Sequence, residues 1–145
     1  MAQTRTADGF TLIEVMVALA VVAITTSLAF STYRRHVQRG HRVEAVQALL
    51  AAAAEQEKFH LAHGQYAERL DAIVGSEPPG IPVASTTPRA RYVLRIASAD
   101  AAGYRLIAER VGASDDPSCV RLSIDESGRR LASDAADRDT TANCW

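Results

Sequence analysis

The stretch Gly9-Phe10-Thr11-Leu12-Ile13-Glu14, followed at once by the apolar run at 15–24, decides how this chain is read. A carboxylate at the head of a membrane-length apolar segment is costly, so it needs a partner. The residues before it offer one. A cut after Gly9 makes Phe10 a new N-terminus, whose α-amino group is a cation with a reference pKa of about 8. Glu14 stands four residues on, one helical turn along the same face. Amine and carboxylate pair there, within one chain or between neighbours. Residues 10–30 carry one charge and, at ~1.5 Å per residue, span about 30 Å, the thickness of a bilayer core. The competing reading is an ordinary secretory signal with Ser27-Leu28-Ala29 as its cleavage site and Arg5 as a thin basic flank. That reading strands Glu14 in an apolar core and leaves Gly9-Phe10 unused.

The block Gly-Phe-Thr-Leu-Ile-Glu with its apolar run resembles the class III signal of type IV pilins and their secretion-system relatives. The resemblance implies cleavage between Gly9 and Phe10 by a prepilin peptidase, methylation of the Phe10 amine, and a role for Glu14 in aligning each incoming subunit. Several later features look like the minor, PilE-like pilins. They are Gln56 and Glu57 late in the helix, Phe59, the Gly64-Gln65-Tyr66 helix end, the hairpin around residues 125–128, and the Asn143-Cys144-Trp145 terminus. One departure stands out. Many pilins carry glycine and then proline in the membrane half of the helix, where this chain has Ala23 and Ser31. Melting of that segment is therefore less favoured, although Thr25-Thr26-Ser27 competes for backbone bonds.

Beyond the leader at 1–9, the absence of proline from 10–61 predicts one long helix ending near residue 62. Its first part, 10–30, is the membrane or filament-core segment. Over 31–62 the pattern turns amphipathic, with Val43, Val46, Leu49, Leu50, Ala53 and Leu61 as the expected core-facing stripe. Gly64 is placed as the cap. Residues 63–91 read as a connecting loop, with a short helical turn over 67–74 and a rigid Pro-rich stretch at 77–82. Alternation then predicts strands over 92–96, 104–109, 119–124 and 129–132. The expected fold is α+β: a long helix on an antiparallel sheet of about four strands, with a tail over 133–145 that needs an anchor.

Cys119 and Cys144 are the only cysteines, and in an exported chain an even pair reads as a disulfide. The alternative is two buried thiols in a reducing compartment. Flanking charge points the other way. Arg34, Arg35, Arg39 and Arg42 follow the apolar segment, and charge bias alone would keep that side cytoplasmic. The cysteines and the resemblance place it outside. These arginines read as a solvated belt just outside the membrane, the alternative being contact with anionic lipid or with acidic residues of the next subunit.

The net charge of −1 gives no bulk argument for nucleic acid. A DNA-binding stripe needs interleaved aromatics, and only Tyr33 lies near the arginines, so DNA stays an open partner. His60 and His63, three apart, lack a third ligand in sequence, and Asp115, Asp116, Asp134, Asp137 and Asp139 match no calcium loop. No metal or cofactor is expected. There is no phosphate loop or nucleophile elbow, so no enzyme is expected. The resemblance implies a structural subunit, held in the inner membrane with a periplasmic head and then moved into an extracellular pilus. It would serve pilus assembly, adhesion, twitching motility or DNA uptake. Its partners would be other pilin subunits, prepilin peptidase, the inner-membrane assembly platform and, before assembly, membrane lipid. The alternative is a pseudopilin of a type II secretion system.

Overall fold

The computed structural model describes residues 10–72, 77, 79–112 and 116–145, with backbone alone at 28, 29 and 31. The leader at 1–9, residues 73–74 of the expected helical turn, and Asp115 lie outside the described residues. The chain divides into two compact units, Met1–Val37 and Gln38–Trp145.

Helix α1 runs Leu12–His63. It stops where Gly64 adopts φ +72° and donates its N–H to His60 O at 2.8 Å, a left-handed cap that glycine makes without steric cost. In the first unit every described side chain of α1 from Leu12 to Ser27 is exposed. The helix is unbroken through Thr25-Thr26-Ser27. There the hydroxyls donate back to helix carbonyls: Thr25 Oγ1 to Val21 O at 2.9 Å, Thr26 Oγ1 to Val22 O at 2.7 Å and Ser27 Oγ to Ile24 O at 2.7 Å. This satisfies each hydroxyl inside an apolar segment, where no water is available.

The second unit holds a four-stranded antiparallel meander in the order β1-β2-β3-β4. The strands are β1 (Tyr92–Ala99), β2 (Tyr104–Arg110), β3 (Arg121–Asp125) and β4 (Arg130–Ser133). Register sets the core. Leu94 pairs with Ala108, Ala108 with Leu122, and Leu122 with Ala132, so one buried row crosses all four strands. A second row joins Ile96, Leu106 and Ile124. The pairing of β1 slips between Ile96 and Ser98, a bulge that ends the alternation there.

The buried face of α1 is His41, Ala45, Leu49, Ala52, Gln56 and Phe59, at steps of three and four. This corrects the stripe drawn from the large apolar residues. Leu49 is in it, and Val46 and Ala53 flank it, but Val43, Leu50 and Leu61 are exposed, Leu61 at 87%. Two of the six, Ala45 and Ala52, are small, and a count of bulky apolar residues overlooks them.

The described residues between Gln65 and Arg91 form no helix or strand, only an isolated bridge from Thr86 to Val93. Residues 67–72 form no helix, which corrects the expected turn there. Gln56, fully buried, holds this segment through both halves of its amide: Nε2 donates to Ala67 O and Oε1 accepts from Ala67 N–H, each at 2.8 Å. Ile81 is buried, and its N–H donates to Arg69 O at 3.0 Å. His60 stacks on Tyr66 and His63 on Phe59, so the two imidazoles are used as flat rings on different partners.

Candidate functional site: the helix start and the C-terminal staple

Phe10, 84% exposed, precedes the helix. Thr11 is its cap: the Glu14 N–H donates to Thr11 Oγ1 at 3.3 Å, and the Val15 N–H to Thr11 O at 3.3 Å. Thr11 and Glu14 have the spacing of a capping box. Glu14 therefore sits in the first turn, where unpaired amide N–H groups favour a negative charge. Gly9 lies outside the described residues. The Glu14 side chain meets no cation among the described residues. What surrounds it is apolar and uncovered: Leu12 (78% exposed), Ile13, Met16, Leu19 and Ile24. Helix α1 contains a window long and apolar enough to cross a membrane. A helix apolar on all sides has to be covered by lipid or by other helices. Thr11 was missed as a functional residue, although Thr-x-x-Glu before an apolar run is visible in the sequence.

At the other end of the chain Cys119 and Cys144 form a disulfide across 25 positions. It does not hold the tail alone. Thr140 N–H donates to Ala132 O at 2.9 Å, Ser133 bridges to Asp139, and the Trp145 indole N–H donates to Leu131 O at 2.8 Å. Helix α2 (Thr141–Cys144) is the single turn that presents Cys144. Two like turns flank β4. In Asp125-Glu126-Ser127-Gly128-Arg129 and in Asp134-Ala135-Ala136-Asp137-Arg138, the leading carboxylate accepts from the N–H two and four residues on and from the Arg Nε. The fourth residue, Gly128 or Asp137, has positive φ in both. The Ser127 hydroxyl and then the Arg129 bonds hold the Asp125 carboxyl below its usual range. Asp134 is lowered chiefly by the Arg138 N–H. These acids serve turns. Among the described residues no group of three His, Cys, Asp or Glu is arranged to hold a metal.

Asp116 closes the staple against α1. It is buried, pairs with Arg42 Nε at 2.5 Å and lies 3.9 Å from Arg110, while Arg42 Nη1 donates to Asn143 O at 3.0 Å. Arg42 is thus committed to the interior rather than to a solvated belt. Tyr92 adds its hydroxyl, which donates to Cys119 O at 2.8 Å.

Residues 31–123 match the profile of the family described as "Type IV minor pilin ComP, DNA uptake sequence receptor". The chain belongs to the type IV minor pilin ComP family. Residues 4–30 match the prokaryotic N-terminal methylation motif, the region that holds the Gly9-Phe10 junction and Glu14. Two type IV major pilin proteins PilE1 of Neisseria gonorrhoeae are each 30% identical over 71 residues, 49% of this chain. The match covers 43% and 39% of their lengths, so less than half of either relative is represented. A type IV pilin structure from Shewanella oneidensis shares 24% identity, with a TM-score of 0.44, over 74% of this chain and 96% of that one. The matched family is one of type IV minor pilins. As a member of a structural pilin family it carries the N-terminal methylation motif and a helix long and apolar enough to cross a membrane.

Proposed function

We propose that this minor pilin is cut between Gly9 and Phe10, methylated at the Phe10 amine, and drawn from the inner membrane into a pilus through its apolar helix. The observation that carries this reading is the capped helix start. Thr11 caps the first turn, and Glu14 stands in that turn four residues from Phe10, at the head of an apolar surface that no described residue covers. Transfer from lipid to protein gains little from hydrophobicity alone, since lipid tails are as apolar as leucine. The Glu14–amine pair therefore sets alignment and order of entry. Prepilin peptidase and the inner-membrane assembly platform are the partners this path requires. The head stays periplasmic until the subunit is extracellular. The family description extends the role to DNA uptake.

The test is incorporation. Glu14→Ala leaves a membrane-held, folded protein that is scarce in sheared filaments relative to cell membranes. Equal abundance of wild type and variant in the filament fraction would remove Glu14 from assembly. For DNA, purified chain in detergent is titrated with duplex in rising salt. Binding that weakens steeply with salt supports the uptake role.

A further inference from the structure

Within the unit Gln38–Trp145, Arg39, Val43, Glu57 and Leu61 share the side of α1 turned away from its buried row, and all four are exposed. They make up two features, a knob and a cleft. The knob is the last two turns of the helix. Leu61 is 87% exposed, and Glu57 stands one turn before it. The Tyr66 hydroxyl approaches Glu57 at 3.5 Å, and no cation meets this carboxylate among the described residues. The cleft is open, about 350 Å³ in volume, and lies towards the start of this unit. Val43, Val46 and the half-buried Trp145 give it an apolar lining, and Arg39 stands on its rim one turn before Val43. Arg42 also lines it but is held by Asp116 and the Asn143 carbonyl. Arg39 meets no carboxylate among the described residues, so its charge is available at the rim.

Knob and cleft have one spacing and opposite charge. Glu57 precedes Leu61 by four positions, and Arg39 precedes Val43 by four. They cannot meet within one molecule, because Leu61 stands 18 positions beyond Val43, about 27 Å along the helix at ~1.5 Å per residue. We infer that the Leu61 knob of one copy seats in the Trp145 cleft of a second copy, with Glu57 against Arg39. The two helices then run parallel, shifted by those 18 positions, and the exposed leucine, valine and indole cover one another. Each copy keeps one free knob or one free cleft, so the contact is heterologous and extends into a row. It is also small. A stable interface in solution buries about 1,200–2,000 Å², far more than one side chain in one cleft. The contact therefore holds only copies already tethered side by side, where tethering supplies a high effective concentration. The inference rests on the membrane-held stage proposed above, and it uses neither the Gly9-Phe10 cut nor Glu14.

Trp145 is the only tryptophan, so a full chain bearing Trp145→Phe is dark and lends only its knob. Wild-type chain is reconstituted in phosphatidylcholine vesicles with an excess of the dark chain. Quenching of Trp145 by acrylamide is compared with that of wild-type chain diluted in lipid alone. The dark chain shields Trp145 and shifts its emission to the blue, and Leu61→Ser in the dark chain removes both effects. Arg39→Glu in the wild-type chain lowers the seated-to-free ratio about two- to fivefold, the scale of an exposed ion pair. Glu57→Arg in the dark chain then restores it, which a merely structural effect of either substitution would not do. Shielding that is absent, that persists without Leu61, or that the charge swap fails to restore overturns the inference. Failure of the chain to float with the vesicles would sink the membrane-held reading and this one with it. Floating chain whose Trp145 stays open to acrylamide would sink this one alone.

Discussion

Replacing Gln56 by leucine removes one side chain and strands two backbone groups. Gln56 is fully buried, and its amide accepts from and donates to Ala67, itself 1% exposed, at 2.8 Å each way. Leucine fills similar space and makes neither bond. An unsatisfied buried N–H or C=O costs about 1–3 kcal/mol, so the pair costs about 1–5 kcal/mol after leucine recovers ~1 kcal/mol by apolar transfer. For a head of this size that is a fall in Tm of roughly 5–25 °C, read by near-UV circular dichroism of the full chain in detergent. Gln56→Glu sharpens the test. A protonated glutamic acid keeps both bonds, whereas the carboxylate is buried against the Ala67 carbonyl. Its pKa in the folded state is thus raised above the unfolded value of about 4.3. Stability of this variant is full below the unfolded pKa and falls as pH rises through the folded one. A Gln56→Leu variant within about 0.5 kcal/mol of wild type, or a Gln56→Glu variant indifferent to pH, would refute the clamp.

Reduction of the Cys119–Cys144 disulfide, or Cys119→Ser, should cost about 3–4 kcal/mol for a loop of 25 positions, measured by urea titration with and without reductant; identical midpoints would contradict a stabilising staple. His41 is held neutral, first by burial and then by Arg91, Arg89 and Arg110 working against Glu44. Its folded pKa lies below the unfolded value of about 6.5, so the unfolded chain binds the proton first and stability drops as pH falls below that value. His41→Gln should flatten the stability profile between neutral pH and pH 5, and an unchanged slope there would exclude His41 as its source. Asp125 works lower: its depressed pKa contributes stability above about pH 4 that is lost as pH falls through the folded value, so Asp125→Asn should shorten the acid limb in a pH–melting series.

Much of the architecture was legible in the sequence because it rests on periodicity and punctuation. Freedom from proline up to Gly64 marks α1, and alternation of Tyr92, Leu94 and Ile96 and of Tyr104, Leu106 and Ala108 marks the first hairpin. The core face of α1 was misread because hydrophobic size was weighed above spacing. His41, Ala45, Ala52 and Gln56 carry small or polar side chains, and their burial depends on sheet, loop and ion partners that lie far along the chain. Long-range pairing also hid Arg42, whose partner Asp116 is 74 positions away. The tail over 133–145 showed no period. It is built from a five-residue turn repeated after β4, whose signal, Asp-x-x-x-Arg twice, is short and easily passed over. Thr11 was legible by its offset from Glu14, and was overlooked because the carboxylate drew the whole argument.

The account stands or falls on the junction before Phe10, and intact-mass analysis of chain recovered from sheared filaments measures it directly. The predicted species begins at Phe10, carries one methyl group on its amine and retains the Cys119–Cys144 bridge. Filament-borne chain that still begins at Met1, or that begins at Phe30 after loss of the apolar helix, would contradict it.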